Sequence, residues 1–450
     1  MKEVPSVSRQ PSASLSDWIR DQLSSPETLS QTVVRQGGSE VAISYIKYAA
    51  DESKIQQQFI QVCFSLASQL SFEQYIKSLP NKLEPANQEE ALHQALAGAA
   101  IIEFGSRSYV VDIKKTSKPP KAEMEKVIQG PQAGFDGSLE TNLNLLRSRY
   151  PQASLTMESY KAGSLTQTNV TVLYDKKKVN EKALKAVQQA IQGVKAEVIM
   201  SLSELGNEFT KNKRTLFPTS LVTERPDRVV LNLAQGKVVL LMEGTPFALI
   251  VPAVYYDFIS SMEDRYHTYW VSHFIILLRY TGLFITVLLP SSYVGITAYF
   301  PELFRVQLAL SIAGSRAAVP YPAFMEVLFM LLMMEMLTEA SVRLPKVIGQ
   351  TATTVGGLIL GQAATAAGLV SNIMIIIVAA VAIANFVIPI NAMSFSIRVS
   401  KYIVLVLTVL FGMIGLLMGF IGLIAVLTSL DSFGQPFLKI FPNESVKKKT

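Results

Sequence analysis

The spacing of apolar positions divides this chain into regions. VAISYIKYAA reads as a strand, and KIQQQFIQVCFSLASQL carries apolar residues at helical intervals. ALHQALAGAAIIEF followed by SYVVDI repeats that helix and strand alternation, so residues 29–113 are predicted to form a first α/β subdomain. Residues 1–28, rich in Ser and Pro, read as a disordered leader. Residues 114–121, KKTSKPPK, read as a charged, Pro-bearing linker.

A second α/β subdomain is predicted over residues 122–265, with a helix at SLETNLNLLRSRY, strands at SLTMESYKAG and TNVTVLYD, and a helix at EKALKAVQQAIQGV. RVVLNLAQG, KVVLLMEG and PFALIVPA then look like three strands of an antiparallel meander ending near Pro252, with turns at Gln235-Gly236 and Glu243-Gly244.

From residue 270 to 430 the alternation gives way to long apolar runs, which predict a helical membrane domain of about five spans. The first, 274–300, contains Pro290 and holds Arg279 near its cytoplasmic end, where a long side chain can snorkel. Residues 303–312 suit a short interfacial helix, and 373–390 a plainer span holding Asn385 and Pro389. Residues 402–430 cross once with tilt, or kink or form a tight hairpin at glycines 412, 415, 419 and 422. Arg343 with Lys346, and Arg398 with Lys401, read as loops on the cytoplasmic face, while the side on which the C-terminus emerges is left open. Residues 431–450 form a tail whose Lys447, Lys448 and Lys449 suit anionic headgroups or a solvated end. The expected architecture is a multi-domain membrane protein: a cytoplasmic α/β N-terminal domain of two subdomains, then an α-helical transmembrane domain.

Charge sharpens this picture, because Glu326, Glu335 and Glu339 lie in or beside one apolar run. A carboxylate in mid-bilayer costs about 3 kcal/mol on insertion scales, so it faces protein or water rather than lipid. Glu335, Glu339 and Arg343 follow at i, i+4, i+8, so Glu339 can pair with Arg343, whereas Glu326 points the other way and needs another partner. These four are candidates for an ion pathway or its gating; the alternative is that they are paired packing charges. Gly357 and Gly361 stand at the spacing that lets another helix approach closely. Gln350, Gln362, Thr365 and Asn385 suit interhelical hydrogen bonds or the wall of a wet path. In the soluble half, Glu224, Arg225 and Asp227 are candidates for docking a neighbour or the membrane domain, or else form a solvated turn.

Composition excludes other classes. With a net charge of +6 over 450 residues and no basic stripe, nucleic acid is not an expected partner. The single cysteine precludes an internal disulfide. The three scattered histidines suggest no metal, Gly236-Lys237 lacks the rest of a phosphate loop, and no nucleophile comes with a base, so no cofactor and no catalysis are expected. The N-terminus lacks an apolar signal region, which keeps the α/β part in the cytoplasm.

Several runs together resemble the A-subunit family of spore germination receptors, the GerA type of endospore-forming bacteria. They include GPQAGFDGSLETNLNLLRSRY, FPTSLVTERPDRVVLNLAQGKVVLLMEGTPFALIVP, MEDRY, LLPSSYVGITAYFPE, SRAAVPYPAFMEV, EASVRLPKVIGQTATTVGGLILGQAATAAGLVS and SFGQPFLKIFP, in the family's order over residues 125–442. The resemblance implies a subunit of the spore inner membrane that acts with a transporter-like B subunit and a lipoprotein C subunit. It also implies self-association into a nutrient-gated ion channel; one branch of the family, associated with dipicolinate release, lacks the usual partners. Glu326, Glu335, Glu339 and Arg343 match the family pattern. Leu331 replaces a common acid, and Leu337, Thr338, Glu339, Ala340 and Ser341 replace Leu-Arg-Glu-Ala-Gly. An ion-coupled solute transporter and a non-conducting membrane scaffold are the alternatives that a flux measurement separates from a channel.

Overall fold

The computed structural model describes residues 14–36, 39–66, 69–104, 107–115, 118–210 and 214–440. Helix α1 (Leu15–Gln22) starts where a leader was expected. Ser14 caps it by accepting from the Asp17 amide at 3.1 Å, and the Ser16 amide and hydroxyl bind Glu103 at 3.1 and 2.5 Å. The serines thus supply a helix cap and a buried anchor, while residues 1–13 lie outside the described residues.

The first sheet is antiparallel throughout, in the order β1 (Leu29–Gln36), β2 (Ser39–Ile46), β4 (Ala99–Phe104), β5 (Arg107–Asp112), β3 (Lys82–Leu83). Period-two alternation lets β4 be buried on both faces. Ala100, Ile102 and Phe104 meet Phe59 of the helical stretch 52–65 and Phe72 and Ile76 of α2 (Gln69–Ser78). Ala99 and Ile101 meet Ile19 of α1 and Ala91 and Ala95 of α3 (Gln88–Ala97). The stretch expected to be a linker is tied at both ends: Lys114 bridges to Ala50 and Lys121 to Ala133, with 116–117 outside the described residues.

The second antiparallel sheet runs β6 (Leu155–Ala162), β7 (Thr168–Asp175), β9 (Val238–Met242), β10 (Ala248–Val251), β8 (Leu221–Thr223). Val172, Leu240 and Leu249 cluster with Val187 of α5 (Glu181–Gln192) and Leu205 of α6 (Leu202–Phe209). The opposite face, with Leu173, Val239 and Ile250, meets Leu146 of α4 (Leu139–Arg149) and Val229 and Leu233 of α7 (Pro226–Ala234). Helix α7 corrects the expected meander, because RVVLNLAQG is helical. Pro226 occupies the first turn with Asp227 beside it, Val229 and Leu233 recur at i, i+4, and Gly236 takes φ 82° just past the end.

The C-terminal half is a bundle of α8 (Tyr269–Tyr299), α9 (Val306–Arg316), α10 (Ala323–Arg343), α11 (Lys346–Ala366), α12 (Asn372–Phe386) and α13 (Asn391–Ser429). Among the described residues two of these, α8 and α13, are long and apolar enough to cross a membrane, where about five spans were expected. Residue 412 interrupts α13: Gly412 has φ 63° and ψ −141°. Fifteen residues of straight helix span about 22 Å. Yet a Cβ placed on Gly419 would stand 3.3 Å from the Val404 Cα, so the halves fold back on one another as a helical hairpin. Both ends return to the second subdomain: the Ser396 hydroxyl donates to the Leu216 carbonyl and the Ser432 hydroxyl to the Thr219 carbonyl, each at 2.7 Å. Residues 430–440, expected as the start of a tail, are therefore docked on the second subdomain; Phe437 is fully buried against Tyr255 and Phe258. Residues 441–450, including Lys447, Lys448 and Lys449, lie outside the described residues.

The two halves also share a core. Ile250, Phe258, Leu283, Ile388, Met393, Ile397 and Phe437 belong to one apolar cluster running from the second sheet into α8 and α13. A sharp boundary at residue 265 does not exist in packing terms.

Candidate functional site

The carboxylates of α10 sort into three environments. Glu326, in its first turn, is 1% exposed. Its Oε1 accepts from the Ser371 amide at 2.6 Å and the Ser371 hydroxyl at 2.5 Å, while Oε2 stands 3.3 Å from Arg316 Nε. Ser371 is the N-cap of α12, so one carboxylate lies at the starts of two helices, where exposed amides favour negative charge. Arg316 ends α9, which makes Glu326 the junction of three helices.

Glu335 is nine residues on, on the opposite face of α10. It accepts from Arg398, and from Lys401 Nζ at 2.7 Å, both on α13. Lys401 is 2% exposed and Arg398 17%, so a single carboxylate faces two largely buried cations. A cleft opens beside this cluster, lined by Thr338, Asn385, Ser394 and the apolar Leu331, Val378 and Phe386. The buried Asn385 Oδ1 in that lining has no hydrogen-bond partner. Arg398 and Lys401 are therefore not loop residues, because the helix already begins at Asn391, just after Pro389. Their opposite sign to Glu335 was the signal available in the sequence. For Ser371 there was no comparable signal.

Glu339 and Arg343 pair with each other at 2.8 Å, but they are 63% and 78% exposed. Gly357 lies against Leu337 of α10 and Gly361 against Ile375 of α12, close approaches within one chain. Thr365 donates back to Gly361 and Gln362 of its own helix, and Gln362 is exposed. For Thr365 the local bond is the one a helical Thr finds first. The Gln350 side chain lies outside the described residues.

In the expected docking run Arg225 is buried, and Glu224 and Asp227 are half-buried. Arg225 is 1% exposed and grips Asp227 through Nε at 3.1 Å and Nη2 at 2.6 Å. It also donates to the carbonyls of Glu125 at 2.9 Å and Pro131 at 3.0 Å. Glu224 accepts from the amides of Met124 and Glu125. These residues hold the chain's own connector, residues 122–135, onto the second subdomain. Arg228 continues the network to Glu125 at 2.7 Å and to the Ser260 carbonyl at 3.0 Å. Asp264 then pairs with Arg279 of α8, which also donates to the Ile259 carbonyl at 3.1 Å. Arg279 is thus buried and paired instead of snorkelling. Close by, Lys237 contacts Asp257 at 2.6 Å; burial lowers its pKa, with Asp257 opposing the shift.

Comparison with known proteins adds to this geometry. The family model described as Bacillus/Clostridium GerA spore germination protein matches residues 17–449. Spore germination protein GerLA of Bacillus cereus is 31% identical over 434 residues, covering 93% of this chain and 88% of the relative. Spore germination protein KA of Bacillus subtilis (strain 168) is 38% identical over 322 residues, covering 71% of this chain and 59% of the relative. Among solved structures, the N-terminal domain of the A subunit of a Bacillus megaterium spore germinant receptor matches 54% of this chain and 93% of its own, at 25% identity and a TM-score of 0.39.

Proposed function

The chain belongs to the GerA spore germination protein family, and from that premise we propose that it is the membrane subunit of a nutrient-germinant receptor in the spore inner membrane. In this reading the N-terminal subdomains face the cytoplasm, and the subunit works without a catalytic step or cofactor. It self-associates and acts with a transporter-like B subunit and a lipoprotein C subunit to open an ion path that triggers germination.

The observation that carries the reading is Glu335, held between Arg398 and Lys401 in a bundle of mainly apolar helices. An intramembrane acid with named partners marks an ion route or its control more often than a packing need. Here the two cations cancel the carboxylate that a passing cation would use, so the arrangement corresponds to a closed path. Opening requires α13 to release Glu335. The hydroxyls of Thr286 and Ser291 and the Asn385 Oδ1 are buried without protein partners, which supports a polar interior beyond what packing alone requires. Glu326, Glu339 and Arg343 take no part in that gate.

Germination of spores carrying Glu335→Gln, across a panel of nutrients, tests the proposal. The expected result is altered or spontaneous germination at an unchanged amount of membrane-inserted protein. Wild-type germination across the panel, with the variant fully inserted, contradicts it.

A further inference from the structure

The connector held by Arg225 carries side chains that no other described residue covers. Ile128 is 88% exposed and Met124 58%, and Lys126 between them is exposed as well. The connector is not loosely attached: the Ile128 amide donates to Glu263 at 3.3 Å, and Gly130 lies directly against the Tyr266 ring. Tyr266 donates to Asp227 at 3.1 Å, which fixes that ring from the other side. Ile128 is thus presented by a rigid loop to the outside, at the level of residues 263–266.

That level is the foot of α8. Tyr269 is 60% exposed, Trp270 81% and Phe274 65%, a cluster of aromatic side chains of the kind that settles at headgroup depth. Arg265 is exposed beside them. The acids of this surface are largely engaged inward, with Glu125 on Arg228 and Glu263 on the Ile128 amide. What remains outward is apolar tips, aromatic rings, Gln129, the acid Glu123 and the basic Lys126 and Arg265.

We propose that the 124–130 connector is a membrane-surface contact, inserting Ile128 and Met124 among anionic lipid headgroups while Lys126 and Arg265 meet the phosphates. This rests on the reading that α8 spans a bilayer, and it extends that reading to a segment far away in sequence. A basic residue near an anionic surface and an apolar tip in the interface act together, since neither alone anchors stably. Through Glu125 and Arg228 the lipid contact is joined to the loop that precedes α8. Lipid packing at the surface is therefore felt at the base of the first long helix.

The single cysteine, Cys63, is buried, so an exposed introduced cysteine can be labelled selectively. The full chain is reconstituted in phosphatidylglycerol-containing vesicles bearing a headgroup-depth spin-labelled lipid, with a fluorophore at Ile128→Cys, Phe274→Cys or Leu165→Cys. Leu165, 71% exposed, lies in the turn of the β6–β7 hairpin, on the sheet edge opposite β8, and serves as the solvent control. The expected result is quenching at 128 close to that at 274 and several-fold above that at 165. It should fall when Lys126→Glu and Arg265→Glu are combined or when the lipid is made neutral. Quenching at 274 but not at 128 overturns the connector contact alone. No quenching at either site overturns the membrane reading with it, and insensitivity of the 128 signal to lipid charge overturns the anionic partner.

Discussion

Glu326 and Glu335 sit on the same helix and each is ion-paired, but Glu326 is buried and Glu335 half-buried, and they are held in different ways. Glu326 is satisfied mainly by a backbone amide and a hydroxyl at the start of α12, and its cation, Arg316, is a secondary partner at 3.3 Å. Moving such a carboxylate strands the Ser371 amide and hydroxyl that it accepts from. Glu335 is satisfied by long, movable cationic side chains on a separate helix and borders a cleft. On the proposed reading it is the group that is released on opening: an acid bound by backbone acts as a staple, whereas one bound by side chains across a helix interface acts as a switch.

The largest effect should come from breaking the staple. Glu326→Ala leaves the Ser371 amide and hydroxyl without their acceptor and Arg316 without its counter-charge, a loss of about 3–5 kcal/mol by analogy with other half-removed buried pairs. The amount of detergent-extractable folded protein is expected to fall sharply. Glu326→Gln keeps an acceptor and should cost about 1–2 kcal/mol. Equal thermal stability of all three proteins breaks the distinction drawn here.

Next in size is the coupling across the switch. Glu335→Gln and Lys401→Met, singly and together, form a double-mutant cycle whose coupling is expected at about 1–3 kcal/mol in thermal unfolding of the full chain. A coupling near zero means that the pair does not hold α13 to α10. The smallest effect belongs to the exposed pair: Glu339→Gln should change stability by no more than about 0.5 kcal/mol and leave germination as in wild type. A germination defect there would move the functional acid one turn along α10.

Much of this was legible before any coordinates, and the reasons differ by region. The strand VVLLM announces itself because a continuously buried aliphatic run of that length has few other uses, whereas AAIIEF, read as the end of a helix, is β4: Gly98, at φ 114°, stops the helix just before it. RVVLNLAQG misleads for the same reason: its valines outweigh the proline that starts the helix and the glycine that ends it. The acidic run in α10 was visible, and so was the Glu339–Arg343 pair, since i, i+4 contacts are local. The partners of Glu326 and Glu335 were not, because Ser371 and Lys401 are 45 and 66 residues away and only tertiary packing brings them in. The docked C-terminal segment was likewise hidden. Its closure depends on α13 turning back at Gly412, one of two outcomes that four glycines leave open.

Potassium efflux from liposomes carrying the full chain, alone and with its partner subunits, tests most directly whether the Glu335 cluster is the closed gate. The account predicts low basal efflux for wild type, a several-fold higher leak for Glu335→Gln, and wild-type efflux for the correctly folded fraction of Glu326→Gln. A Glu335→Gln protein that inserts, folds and leaks no more than wild type, or a Glu326→Gln protein that leaks in its place, contradicts it.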